Sequence, residues 1–331
     1  MKIKQLVLAK RPDGKPSIDD FRIEDIALNE LKVGEVRLQP LYISVDPYMR
    51  SRMNESLQPG AAFELNQPIS GSVIAEVIES RDSALEVNTI VAGQLPWATQ
   101  LIAGAGELQK IDIDGIPASA YLGLLGMPGL TGYFGMLDVG KIVSGETVVI
   151  SSAGGAIGSI VGQIAKIKGC RVIGLTSDDK KATMLKEDLG YDEVINYQAQ
   201  NITDALKSLA SNGVDVYFDN VGGSISDEII KQINIYGRVV VCGQISTYNG
   251  EDHQTGTDLL ALALNSSIRI QGYHVPTYKD HFPQAIQQLA TWYKEGKLKN
   301  KETILTGFEQ LPEAFIGLFS GKNLGKMLVK V

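Results

Sequence analysis

At 331 residues the chain is longer than the roughly 250 at which a single hydrophobic core stops growing, so two folding units are expected. Hydrophobic residues at 44% and charged residues at 21% are the balance of a globular protein and exclude a disordered or fibrous one. A net charge of -7, with Lys and Arg scattered along the chain, gives no footprint for a phosphate backbone, so no nucleic-acid partner is expected; no run approaches the roughly 18 apolar residues of a membrane span.

The opening stretch MKIKQLVLAKRPDGKP has only a few apolar residues before charges resume, which predicts neither signal nor anchor and a cytoplasmic protein. Over residues 1–121 short strand-like runs alternate with turn residues, as in GEVRLQPLYISV, PISGSVIAEVIE and TIVAGQLPWATQLI, and predict a mostly β domain. After Thr147 the rhythm becomes strand and helix in alternation. The runs TVVISS, RVIGLT, EVINY, VDVYFDN and GRVVVCG predict a doubly wound parallel sheet, an α/β domain of Rossmann type over residues 122–304. In its first crossover Ile157, Ile160, Val161 and Ile164 recur at helical spacing, and the helix is predicted to end near Gly169. The final LGKMLVKV reads as a strand with no helix of its own, so residues 305–331 are expected to return to the first domain. The two cysteines, Cys170 and Cys242, lie in apolar contexts and are expected as buried free thiols.

In TVVISSAGGAIGSIVGQIAKIKGCRVIGLT, a strand, a tight turn with Ala153, Gly155 and Gly158 in A-x-G-x-x-G spacing, a helix and a second strand follow in order. Small residues let the backbone approach a pyrophosphate, and a helix start offers free N–H groups. The turn residues Ala153, Gly155, Ala156, Ile157 and Gly158 are therefore candidate dinucleotide contacts, an ordinary tight turn being the plain alternative. At the end of the second strand, where NAD enzymes carry an acid, stand Leu175, Thr176 and Ser177. Ser177 is a candidate contact, and Lys180 or Lys181 could pair with a 2′-phosphate, which favours NADP(H); Asp178 and Asp179 and a solvated helix start leave NAD open.

Six stretches carry a more specific signal: SVDPYMR from Ser44, MPGLTGYFG from Met127, VGQIAKIKGCRVIG from Val161, YFDNVGG from Tyr217, VCGQISTYN from Val241 and NLGK from Asn323. With them nearly the whole chain resembles the zinc-independent leukotriene B hydroxydehydrogenase, prostaglandin reductase and curcumin reductase-like branch of the medium-chain dehydrogenase/reductase superfamily. The resemblance implies a GroES-like substrate domain beside the Rossmann domain, a homodimer joined through the cofactor domains, and NADPH-dependent reduction of the carbon–carbon double bond of α,β-unsaturated ketones or aldehydes without metal. It also implies cofactor contacts at Lys181 and Tyr197, at Asn220, at Cys242, Gly243 and Ile245, and at Asn323. Without it, Tyr197 reads as the end of a buried strand, and Asn220 and Asn323 read as turn residues.

Zinc alcohol dehydrogenases share the two-domain plan, but this chain has no Cys or His before Cys170, and no metal site is expected. His253 falls in a polar loop and His281 near a helix start, both expected in solvent; His274 is the one histidine that could face a substrate. Hydride addition to a conjugated carbonyl leaves an enolate whose oxygen needs a hydrogen-bond donor. Candidate donors are the cofactor's ribose hydroxyl, Tyr48 and Tyr278; Tyr48 reads equally as a core tyrosine bonded to backbone. Where prostaglandin reductases have a tyrosine after the strand corresponding to IRIQGYHV, this chain has Pro276, flanked by Tyr273 and Tyr278. The polar stretch Gly250 to Asp258 is a candidate lid or a plain surface loop. A quinone reductase, or an NADPH-binding regulatory protein without turnover, uses the same features.

Overall fold

The structure, a computed structural model, describes residues 2–55, 62–112, 115–250 and 259–331. Apart from Gly250, the candidate lid lies outside the described residues, and so does His253. Seven strands come first: β1 (Lys2–Leu8), β2 (Phe21–Ala27), β3 (Glu35–Ser44), β4 (Ser70–Ser80), β5 (Ile90–Pro96), β6 (Leu101–Gly104) and β7 (Gln109–Lys110), with the single-turn helix α1 (Met49–Arg52) between β3 and β4. The middle of the chain alternates: α2 (Met127–Phe134), β8 (Thr147–Ile150), α3 (Gly158–Ile167), β9 (Arg171–Thr176), α4 (Asp179–Thr183), β10 (Glu193–Asn196), α5 (Ile202–Leu209), β11 (Val214–Asp219), α6 (Gly223–Ile230), β12 (Ile233–Val241), α7 (Leu259–Ser266), β13 (Arg269–Gly272) and α8 (Phe282–Lys294). β14 (Glu302–Thr306), α9 (Leu311–Leu318) and β15 (Lys326–Lys330) close it.

These elements form two compact units. The first holds residues 1–122, 303–322 and 327–331, and its main sheet runs β14-β15-β3-β4-β5-β7 with β6 also on β3. The last strand lies in the first unit, where Leu328, Val329 and Lys330 pair antiparallel with Ser44, Ile43 and Tyr42. Alternation along β3 and β4 turns Val36, Leu38, Val73, Ala75 and Val77 into one core with Trp97 and Phe315.

The second unit holds residues 123–302 and 323–326. Its sheet has the order β10-β9-β8-β11-β12-β13, parallel throughout. Numbered from β8, this is the 3-2-1-4-5-6 order of dinucleotide folds, with its reversal between β8 and β11. All four residues of β8 are buried, as a central strand covered on both faces requires. Helix α3 buries Ile160, Val161 and Ile164 and stops at Gly169, whose φ of +79° lets Cys170 N–H reach back to the Ala165 carbonyl at 3.0 Å. Among the described residues no helix is long and apolar enough to cross a membrane.

Candidate functional site

In the second unit, the turn from β8 into α3 is held from three directions. Ala153 is fully buried and its N–H donates to the Leu175 carbonyl at 3.0 Å, which locks the turn to the end of β9. A Cβ on Gly158 would lie 2.4 Å from the Ser152 carbonyl oxygen and 2.7 Å from Ala153 Cα, so only glycine lets the helix start this close to the strand. From the far end of the chain, Gly325 N–H donates to the Gly154 carbonyl at 2.8 Å and Asn323 Nδ2 donates to the Gly325 carbonyl at 2.7 Å. Asn323 thus braces the segment that pairs with the turn, and Ala156 and Ile157 stand half-buried at its rim.

At the end of β9, Asp178 serves as the N-cap of α4, its Oδ1 accepting the Lys181 N–H at 2.9 Å, while Asp179 accepts from Asn196 Nδ2 at 2.8 Å. Both carboxylates that left NAD open are occupied with local structure. The Lys181 side chain is buried and runs along the turn: a Cβ on Gly154 would lie 2.9 Å from its Cδ. Its ammonium is 3.9 Å from Asp178 Oδ2, and burial, only partly offset by that carboxylate, lowers its pKa. Thr176 Oγ1 beside it is buried without a hydrogen-bond partner. Ser177 follows, and Tyr197 is tied to the same strand end by its N–H, which donates to the Thr176 carbonyl at 3.1 Å.

Across the reversal point the end of β11 is organised by Asp219, which sequence reading passed over. The carboxylate is buried, and its Oδ1 accepts from Tyr217 Oη at 2.8 Å, from Ser151 Oγ at 3.2 Å and from the N–H groups of Val221 and Gly222 at 2.9 and 3.0 Å. Asn220 is fixed to the end of β8, its N–H donating to Ser151 Oγ and its Nδ2 to the Ser151 carbonyl at 2.9 and 2.8 Å. Cys242 and Gly243 at the end of β12 both donate their N–H to the Asp219 carbonyl, at 2.8 and 3.1 Å, and Ile245 begins the single turn that follows. Cys242 is only partly buried, a correction to the expected buried thiol: it stands just past the last residue of its strand, at the open end of the sheet. Burial pushes its thiol up to about 12; Cys170 is buried, and burial pushes it up to about 11.

The tyrosines divide. Tyr278 donates to Asp138 Oδ2 at 2.7 Å and stacks on Phe134 with ring centroids 4.5 Å apart, beside an open groove of about 330 Å³. Burial and the Asp138 carboxylate push its pKa up to about 12. Tyr273 donates to the Thr131 carbonyl at 2.8 Å. Tyr48 belongs to the first unit, where it precedes α1; it is 43% exposed, not packed in the core, and its hydroxyl bonds to none of the described residues. Partial burial and the nearby Asp46 carboxylate raise its pKa. His274 and His281 are both exposed.

The second unit therefore gathers the turn residues, Ser177, Lys181, Tyr197, Asn220, Cys242, Gly243, Ile245 and Asn323 at the carboxyl ends of β8 to β12, where open α/β sheets bind ligand. A cradle that a side chain would crowd, an orphaned hydroxyl at Thr176 and the buried side chain of Lys181 fit a dinucleotide bearing a 2′-phosphate. Among the described residues no group of three or more His, Cys, Asp or Glu side chains is placed to hold a metal ion.

Two family models match the chain, one described as the N-terminal domain of oxidoreductase over residues 4–111 and one as zinc-binding dehydrogenase over residues 156–291. The chain is 49% identical over 330 residues to YfmJ of Bacillus subtilis (strain 168), whose name describes an NADP-dependent oxidoreductase, covering 99% of this chain and 97% of that one. It is 42% identical over 332 residues to prostaglandin reductase 1 of Bos taurus, covering 99% and 98%. The solved structure of CurA from Vibrio vulnificus in complex with NADPH superposes with a TM-score of 0.94 at 36% identity, covering 99% of each chain.

Proposed function

We propose, because the chain belongs to the zinc-independent prostaglandin reductase and curcumin reductase-like branch of the medium-chain dehydrogenase/reductase superfamily, that it reduces the carbon–carbon double bond of α,β-unsaturated ketones and aldehydes at the expense of NADPH. The observation that carries the cofactor choice is the buried Lys181 side chain, whose stem lies along the glycine turn. Lys181, with Thr176, Ser177 and Tyr197 around it, holds the 2′-phosphate; the turn from Ala153 to Gly158 takes the pyrophosphate; Asn220, Cys242, Gly243, Ile245 and Asn323 complete the site. NADPH supplies a hydride for the β-carbon. The chain's own part is to orient the alkene and to donate a hydrogen bond to the carbonyl oxygen as negative charge grows there.

Tyr48 is the donor we favour. Its hydroxyl is uncommitted and its raised pKa keeps it protonated at neutral pH, whereas the Tyr278 hydrogen is already given to Asp138. Residues 1–121 and 305–331 act as the substrate domain and residues 122–304 as the cofactor domain. Two unpaired thiols accord with a reducing, cytoplasmic setting. The chain acts as a homodimer: β13 leaves one edge of its sheet unpaired among the described residues, and Leu260 and Leu264 on α7 are 84% and 81% exposed.

The test follows NADPH absorbance with a panel of enones, enals and quinones, with product analysis and a chelator control. Chelator-insensitive formation of the saturated ketone, reduced about a hundredfold in Tyr48→Phe, is expected. Tight NADPH binding without turnover of any acceptor would turn the reading to a binding protein, and turnover of quinones alone to a quinone reductase.

A further inference from the structure

Asp219 is the last residue of β11 and 5% exposed, yet no basic side chain pairs with it among the ion pairs of the described residues. Its charge is met by neutral donors alone. Oδ1 takes the Tyr217 and Ser151 hydroxyls and the N–H groups of Val221 and Gly222, and Oδ2 takes Ser226 Oγ at 2.7 Å. The N–H donors lie where α6 begins, the end of a helix that favours a negative charge. A buried carboxylate without a cation is costly unless its lone pairs are used, so this cost has to be offset by what the cluster holds in place.

What the residue joins shows what that is. Through Ser151 the carboxylate reaches the end of β8, and through Ser226 and Gly222 the first turn of α6. Through its own carbonyl, Asp219 holds the N–H groups of Cys242 and Gly243 at the end of β12. Ser151 Oγ donates to Asp219 and in turn accepts the Asn220 N–H, so the orientation of that hydroxyl is set by the carboxylate. Three strand ends on either side of the reversal point, carrying Asn220, Cys242 and Gly243, therefore hang from one side chain and its carbonyl.

We propose that Asp219 is the positioning residue of the dinucleotide site: its carboxylate ties the end of β8 and the turn into α6 to the end of β11, where its main-chain carbonyl holds the end of β12, so that these strand ends meet the pyrophosphate and nicotinamide half, and it does not act on the 2′-phosphate. This rests on the reading of the site as one for NADPH. Removing the carboxylate orphans the buried Gly222 N–H, takes the acceptor from the half-buried Val221 N–H and from the Ser151 hydroxyl, and leaves Tyr217 Oη and Ser226 Oγ only each other, whereas Asn at this position keeps an acceptor for the Oδ1 donors and gives Ser226 Oγ a hydrogen to accept.

The experiment measures NADPH and NADH dissociation constants by fluorescence for wild type, Asp219→Ala, Asp219→Asn and Ser151→Ala, with a melting curve for each. Expected in Asp219→Ala is a loss of about tenfold or more for both nucleotides, with their ratio unchanged. Asp219→Asn restores binding to within about threefold, and Ser151→Ala, which keeps the carboxylate, falls about fivefold. Restoration by Asn separates positioning from a mere loss of fold. If Asp219→Ala does not fold, Ser151→Ala carries the test. A folded Asp219→Ala or Ser151→Ala within about twofold of wild type, or a loss confined to NADPH, overturns the proposal. Wild-type protein that binds neither nucleotide would overturn the reading of the site as well.

Discussion

Gly158 is surrounded by backbone: an added methyl would meet the carbonyl oxygens of Ser152 and Ala153 at 2.4 and 2.8 Å, and neither can rotate away. Gly158→Ala is therefore expected to destabilise the protein by about 1–3 kcal/mol in urea unfolding and to abolish NADPH binding. Lys181 allows a finer test. Lys181→Ala should weaken NADPH about tenfold to hundredfold and leave NADH untouched, as titration with each nucleotide would read. Its lowered pKa fixes the direction with pH. The ammonium that pairs with the 2′-phosphate is lost as pH rises through a value below the usual 10.5, so the preference for NADPH over NADH should fall at alkaline pH. The stability of the free protein moves the other way. Between that lowered value and 10.5 the unfolded chain binds more protons than the folded one, so Lys181 makes the free protein more stable as pH rises through the window.

Helix α4 is only five residues long and depends on its cap. Asp178→Ala should cost about 1 kcal/mol in unfolding free energy and Asp178→Ser much less, since serine can accept the same N–H. This element also shows what could be read in advance. The strand, glycine turn and helix around Ala153–Gly158 were legible because periodicity and small residues are local signals. The cap is local as well, an Asp three positions before Lys181, yet Asp178 and Asp179 were weighed as ribose partners because a sequence does not show where a carboxylate is already bonded. Asp219 was hidden for a related reason: YFDNVGG reads as turn chemistry, and Ser151, its donor on the next strand, is 68 residues away. Tyr278 stood as a free donor for want of Asp138, which lies 140 residues earlier.

At the scale of the whole molecule, both units leave apolar residues in solvent, and four of those on the second unit lie on β12 and α7. Leu260 and Leu264 lie one helical turn apart on α7, and Ile235 and Tyr236 on β12 are 67% and 74% exposed. Changing both leucines to glutamate should give a monomer by light scattering while NADPH affinity stays near that of wild type; a wild-type protein that is already monomeric would discard the homodimer.

The protonated state of the two thiols has a chemical consequence of its own. Conjugated carbonyls are soft electrophiles that alkylate thiolates, and with Cys170 near 11 and Cys242 near 12 roughly one thiol in ten thousand or fewer is ionised at neutral pH. One of them stands among the cofactor-site strand ends, where alkylation would block binding. The raised values thus make both thiols poor nucleophiles towards the α,β-unsaturated carbonyls that the enzyme reduces.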